Sequence, residues 1–262
     1  MGIGTVTERL AAKRQPLNEV VYRKSRADIR ERLRREQSFE DIIDTVDFVK
    51  PGYFQYRLYT IQIRDELEKP TRFLNEYGPR GLLEIGFHRE GTSYALGRCV
   101  DALKTIVGIE LPTSDSIDSH RERLLSSVLE DKKTEIVWGN SHRGSTRRAV
   151  GEHLDEGVNV LFIDADHTYD GIKQDFELYH DLVRVGGFVV FHDIIPHASS
   201  LDEVKQRRGE HPDLENGHVM WDEHHPWCGV DKFWNELRGP FWTKEFVSHP
   251  MQIGKDIDIL EI

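Results

Sequence analysis

Five short apolar runs recur along the middle of this chain at intervals of roughly 25 residues: LLEIGF, TIVGIEL, TEIVWGN, NVLFIDAD and GFVVFHDI. Helix-like stretches separate them. Strands that alternate with helices in this way pair in parallel, because each crossover helix returns the chain to the same edge of the sheet. Runs that are apolar throughout, rather than alternating with polar residues, belong to strands buried on both faces. The pattern therefore predicts an α/β fold with a doubly wound parallel sheet and right-handed crossovers.

Parallel strands lie roughly 4.8 Å apart, so side chains at their carboxyl ends converge. The fourth run ends in Asp164, Asp166 and His167, and the fifth in His192 and Asp193. Ligands of open α/β sheets bind at that edge, which makes these two polar ends the candidate active site. Between them Tyr169–Val185 carries apolar residues at near-helical spacing (Ile172, Phe176, Leu178, Leu182, Val185), with Gly186 and Gly187 as punctuation before the fifth strand. Thr168 and Tyr169 read as the start of that helix.

The first run leads into a glycine turn, with Glu84 and Gly86 at the strand end and Gly91, Thr92 and Ser93 opening a helix. Such a turn lets a ligand approach the backbone, and the helix N-terminus favours an anionic group. The second run ends in Glu110, an acid suited to gripping a ribose diol. A dinucleotide fingerprint requires a second glycine where the pyrophosphate touches the backbone; His88 stands there instead. Glu84 would repel phosphates yet can bond an amino-acid ammonium. These features favour S-adenosylmethionine over a nicotinamide cofactor.

On LLEIGFHREGTS, VGIEL, GNS, FIDADHTYDGIKQDFE, GGFVVFHDI and GVDKFWNEL, in that order, the chain resembles the class I S-adenosylmethionine-dependent methyltransferases. Within them it is similar to the group of small-molecule O-methyltransferases and cephalosporin hydroxylase-like proteins. The resemblance covers residues 75–262. It implies a Rossmann-like, doubly wound, mostly parallel seven-stranded sheet with a C-terminal antiparallel strand. It also implies that Glu84, Gly86 and Gly91 surround the methionine moiety, while Thr92 and Ser93 read as cofactor-binding residues that cap the helix or donate to the ligand. Glu110 would bind the ribose, Asn140 and Ser141 would lie near the adenine, and Asp164 would stand beside the cofactor. Metal-dependent members place one Asp after the fourth strand and an acidic or amide pair after the fifth. By that match Asp164 and Asp193 would hold Mg²⁺, although Ile194 stands where the second member of the pair is expected; Asp166 or His167 could compensate. The metal-free alternative makes His167 and His192 the groups that take a proton from an acceptor hydroxyl.

The rest of the chain frames this centre. Residues 1–74 read as a polar N-terminal helical extension, broken at Pro51-Gly52, with a basic stretch from Arg23 to Arg35 that reads as a solvated helix face. An extension of this kind suits a homo-oligomer. The aromatic, amphipathic stretch Tyr53–Leu74 is expected to pack on the following domain. Residues 197–227 read as a polar insertion or lid; His211, His218, His224, His225 and Cys228 lack the paired spacing of a structural zinc site. FWTKEFVS and KDIDILEI are the last two strand candidates, an antiparallel pair closing the sheet.

A net charge of −11 argues against general nucleic-acid affinity. No apolar run approaches the ~20 residues that span a bilayer. Two distant cysteines fit a reducing cytoplasm. The expected activity is methyl transfer to a hydroxyl of a small molecule such as a sugar or natural product. A nicotinamide-dependent oxidoreductase, or a noncatalytic protein retaining the fold, are the competing readings.

Overall fold

A computed structural model describes residues 38–47, 58–194 apart from 59, 61, 63 and 114, and 228–237. It adds the backbone of 197–198, 220–221, 243–246 and 257–261, and isolated positions before residue 38. The elements are α1 (Phe39–Asp47), α2 (Arg64–Tyr77), β1 (Gly81–Ile85), α3 (Gly91–Cys99), β2 (Thr105–Glu110), α4 (Asp115–Val128), β3 (Lys133–Trp138), α5 (Gly144–His153), β4 (Val158–Ile163), α6 (Tyr169–Tyr179), β5 (Val183–His192), β6 (His197–Ala198), β7 (Met220–Trp221), α7 (Val230–Leu237), β8 (Thr243–Phe246) and β9 (Ile257–Glu261).

The α/β, Rossmann-like expectation is borne out by five parallel strands in the order β3-β2-β1-β4-β5. β9 runs antiparallel beside β5, and β8 antiparallel beside β9. The paired β6 and β7 form a separate two-stranded ribbon. Helices cover both faces. One core joins α1, α2, α3 and α4 to the sheet through Ile43, Leu67, Tyr94, Leu125, Val160 and Phe188. The other joins α5, α6 and α7 through Val150, Ile172, Phe176, Leu161, Val189 and Trp234.

Residues before 75 share the first of these cores. Leu58, Leu67 and Leu74 are buried in it, and Phe73 and Tyr77 meet the Phe188 ring edge-on at 5.2 and 4.6 Å. This is the packing expected of the stretch up to Leu74, though residues 53–57 lie outside the described set, as do most of the basic stretch and the side chains of 197–227.

The helix after β4 is shorter than its periodicity suggests. Thr168 caps it, its hydroxyl accepting from Gly171 N at 3.0 Å, and Ile172, Asp175, Phe176 and Tyr179 form its buried stripe. It ends at Tyr179, a 3₁₀ turn covers His180–Leu182, and β5 already begins at Val183. Gly186 and Gly187 therefore sit inside the strand, and Val185, read as part of the helical stripe, is 98% exposed. The cause is a register shift: Val158 pairs with Val183 but Val160 with Phe188, so β5 carries extra residues there, including Gly186 at φ +79°.

Candidate active site

Strand order reverses between β1 and β4, and the carboxyl ends of the strands spread apart at that point. A cavity of about 520 Å³ opens there. Gly86 and His88 after β1, Glu110 after β2, Asn140 to His142 after β3, and Asp164 to His167 after β4 wall it. The cofactor residues anticipated at Gly86, Glu110, Asn140, Ser141 and Asp164 are thus brought to one cavity.

Gly86 is dictated by this junction. Its φ is +90°, and a Cβ would stand 2.0 Å from the carbonyl oxygen of Asp164. The turn and the end of β4 are in backbone contact, with Asp164 N also donating to Ile85 O at 2.8 Å. Glu84, Gly91, Thr92 and Ser93 lie behind this turn rather than on the cavity wall. Ser93 donates its hydroxyl to the buried Glu84 carboxylate. Burial pushes the Glu84 carboxyl up to about 8, against that hydrogen bond.

Glu110 accepts from Leu111 N at 2.8 Å and lies 3.7 Å from the guanidinium of Arg121. Arg121 is buried beneath the turn. It donates to Glu90 at 2.6 Å and to the carbonyl of His88, and its guanidinium lies 4.8 Å from the Trp138 ring. His88 and Glu90 both adopt positive φ, at 33° and 58°, so the turn that departs from the dinucleotide pattern is held by a charged side chain instead of by glycines. Asn140 accepts from His142 N at 2.8 Å, while Ser141 O accepts from Tyr179 Oη. His142 also lines the cavity, with Nε2 3.4 Å from the fully buried Asp175, whose carboxyl is pushed up by burial.

At the far wall Asp164, His167, His192 and Asp193 converge, with one donor atom from each within 4.8 Å of all the others. His167 Nε2 lies 3.1 Å from Asp164 Oδ1 and 3.0 Å from Asp193 Oδ2. His192 Nδ1 lies 3.1 Å from the same Asp164 oxygen and 3.5 Å from Asp193 Oδ1. Burial would push Asp164 up, but the imidazoles of His192 and His167 outweigh it and hold the carboxyl well below its usual range. Burial likewise pushes His167 down, and its hydrogen bonds to the two carboxylates more than reverse this, raising it to about 9.

The convergence depends on a kink. Successive strand residues point to opposite faces, yet His192 and Asp193 both face Asp164. Asp193 stands at φ +60°, a left-handed conformation that folds its carboxylate back beside the imidazole. Ile194 is buried in the second core, so it offers no ligand and the polar pair after β5 is His192–Asp193, one position earlier than the sequence pattern suggested. Asp166 does not join the cluster either. Its Oδ1 accepts from Thr168 N and Oγ1 at 3.0 and 2.8 Å, which ties it to the start of α6.

Sequence reasoning missed Gln62. It is 7% exposed and reaches from the segment before α2. Its Nε2 donates to Asp164 Oδ2 at 2.6 Å, and its Oε1 accepts from Thr92 at 2.6 Å and from Thr60. Two hydroxyl donors on one end and a carboxylate on the other fix which way the amide points. Cys228 is buried, its thiol 3.8 Å from Asp193 O, and Gly229 N donates to His167 O at 2.8 Å, so the segment entering α7 braces the cluster. The insertion histidines lie outside the described residues.

The donor set bears on the Mg²⁺ that the resemblance implies. Two carboxylates within reach of one point are the oxygen ligands this ion takes; the two imidazoles beside them are ligands of softer ions.

Residues 83–194 match the profile of a methyltransferase-domain family. An uncharacterized protein of Acanthamoeba polyphaga mimivirus is 48% identical over 122 residues, which is 42% of this chain and 50% of the relative, so the chain spans half that relative's length. Among solved structures, an O-methyltransferase from Bacillus cereus in complex with SAH is similar at a TM-score of 0.51 and 16% identity, over 87% of this chain and 91% of that one. TomG, an O-methyltransferase from Streptomyces achromogenes in complex with SAM, is similar at 0.53 and 14%, over 87% and 90%. At these identities the structural likeness speaks for the fold. The resemblance drawn from the sequence is borne out across the segment that carries the cavity.

Proposed function

We propose, from the premise that residues 83–194 are a methyltransferase domain, that the chain transfers a methyl group from S-adenosylmethionine to a hydroxyl of a small molecule. The observation that carries this reading is the meeting of one cavity with one proton-handling cluster. The cavity offers Glu110 for a ribose and Asn140, Ser141 and His142 for a base, and it ends at Asp164 and His167. Gly86 and Gly91, with Glu84, Thr92 and Ser93 behind them, frame the methionine tail.

Methyl transfer from a sulfonium is an in-line displacement, so placing the acceptor oxygen and removing its proton are the tasks left to the protein. His167 is on the cavity wall and His192 is buried behind it. His167 takes the proton in its neutral form, which gains ground as pH rises towards about 9; with its Nε2–H donated to the carboxylates, Nδ1 is then the nitrogen that receives it. Asp164 and Asp193 hold that ring by its Nε2, and His192 in turn holds Asp164. Asp164 and Asp193 would hold a divalent cation, whose positive charge acidifies an acceptor hydroxyl.

The finer architecture belongs to the same reading: a seven-stranded sheet closed by the antiparallel strands at 243–246 and 257–261, a helical extension over 1–74, the catalytic domain over 75–262, and residues 197–227 as a lid. A homo-oligomer formed through the extension and a cytoplasmic setting complete it. Among the described residues no helix is long and apolar enough to cross a membrane.

Calorimetry with S-adenosylhomocysteine tests the cofactor assignment. Binding is expected for the wild type, with a loss of roughly 10- to 100-fold in Glu110→Ala, the size of one or two hydrogen bonds to a charged group. No heat at millimolar ligand on folded protein would overturn it. Incorporation of labelled methyl into a panel of hydroxylated small molecules tests the reaction.

A further inference from the structure

We propose that Arg121 on α4 is the positioning residue for ribose recognition: it steadies Glu110 for the two sugar hydroxyls and ties that acid to the turn after β1. The inference rests on the cofactor assignment made above. It adds that selection of a nucleoside with an intact 2′,3′-diol depends on a side chain that does not line the cavity.

One guanidinium serves three points beside the cavity. Nε donates to Glu90 at 2.6 Å, Nη2 donates to the carbonyl of His88, and Nη2 also stands 3.7 Å from Glu110 Oε2. The side chain is buried, and its guanidinium lies 4.8 Å from the centre of the Trp138 ring. Trp138 is fixed in turn, donating Nε1 at 2.6 Å to Glu122, the neighbour of Arg121 on α4. A planar fork with several donors reaches several acceptors at once, whereas an ammonium is a point charge. A lysine here would meet Glu90, whose carboxylate is the nearer at 2.5 Å, and leave Glu110.

Glu110 needs that neighbour. An ionised carboxylate accepts from both hydroxyls of a diol, while a protonated one keeps part of its capacity for its own hydrogen. Burial pushes the Glu110 carboxyl above its ordinary range; the Leu111 amide, the Arg121 guanidinium and the His88 amide pull it back. The other charged groups that face it are Arg89 and Glu90 from the turn and Glu84 from β1. Two of those three are acids, and burial disfavours the charge of Arg89. Arg121 is therefore the cation that keeps Glu110 ionised. Without it the carboxyl ionises only at higher pH, and the diol loses its acceptor as pH falls.

Calorimetry on the full chain compares S-adenosylhomocysteine with its 2′-deoxy analogue across pH. The wild type should prefer the complete ribose by roughly tenfold or more at pH 7, the worth of a hydrogen bond to a charged group. Arg121→Lys should cut that preference to about threefold or less, with the analogue bound almost as in the wild type. Raising the pH should restore part of the preference in Arg121→Lys but not in Glu110→Gln. In the Glu110→Gln background Arg121→Lys should cost nothing further. Arg121→Gln/Glu90→Gln neutralises the buried pair together, leaving no charge unpaired, and should also move the loss of preference to higher pH. It carries the test if Arg121→Lys does not fold. A wild type that binds both ligands alike, equal weakening of both in the variants, or an unchanged preference and pH profile overturns the proposal. A wild type that binds neither ligand instead overturns the cofactor assignment on which it rests.

Discussion

Gln62 donates its side-chain amide to the outer oxygen of Asp164 at 2.6 Å, across a sequence separation of 102 residues. The same amide receives the hydroxyl of Thr92 on the other side of the glycine turn. One residue from the segment before α2 thus joins the helix behind the turn to the acid at the end of β4.

Gln62→Leu strips a buried carboxylate and two hydroxyls of their partner. A loss of about 1–3 kcal/mol in stability follows, measured as a lower denaturation midpoint at unchanged slope. Gln62→Glu should be worse at pH 7, where two carboxylates meet, and should recover as pH falls. Equal midpoints for all three proteins would sink this account.

Glu84 gives stability a pH dependence. Its folded carboxyl titrates at about 8 and its unfolded one near the usual carboxylate value, so the folded state binds more protons between the two. The contribution is complete below the unfolded value and is lost as pH rises to about 8, with a slope of at most about 1.4 kcal/mol per pH unit. Glu84→Gln should flatten the curve over that window. If Glu84 meets the ammonium of the cofactor, it must ionise, and calorimetry near pH 7 in buffers of different ionisation enthalpy should record proton release on S-adenosylhomocysteine binding. No buffer dependence would place Glu84 outside the cofactor's reach.

Arg121 and Glu90 form an ion pair with both side chains almost fully buried, at 4% and 1% exposure. Burial pushes Glu90 up to about 7, with the guanidinium opposing. Removing one member leaves the other buried and unpaired. Arg121→Met should cost about 3–5 kcal/mol, and the double change Arg121→Met/Glu90→Leu should restore part of the loss. Chemical denaturation of the three variants completes the cycle; additive losses would mean that the pair is not coupled.

Gly86→Ala should be among the most damaging single changes in the chain. It combines a positive φ with a methyl 2.0 Å from a backbone oxygen that cannot swing aside. Insoluble protein, or a melting temperature lowered by more than 5 °C, is expected, and circular dichroism on heating reads it. A wild-type melting curve would show that the strand ends can part.

The active edge was legible because parallel strand ends must converge: the Asp–His endings of two apolar runs already named Asp164, His167, His192 and Asp193. The acid after β2 and the glycine turn were legible for the same reason. Gln62 was not, since a lone glutamine in a polar segment carries no periodic or motif signal. The kink that turns His192 and Asp193 to one side was not legible, because nothing in the neighbouring residues announces a left-handed backbone at Asp193. The end of α6 was hidden too, as Leu182 and Val185 continue an apolar spacing that a register shift in β5 puts to another use.

The packing of Leu58, Leu67 and Leu74 has a practical corollary for anyone trimming this protein. A change in composition near residue 75 invites a cut there. Such a cut would bare one face of the sheet and release the amide that steadies Asp164, leaving a fragment that looks like a domain in the alphabet of its residues but lacks part of its own interior.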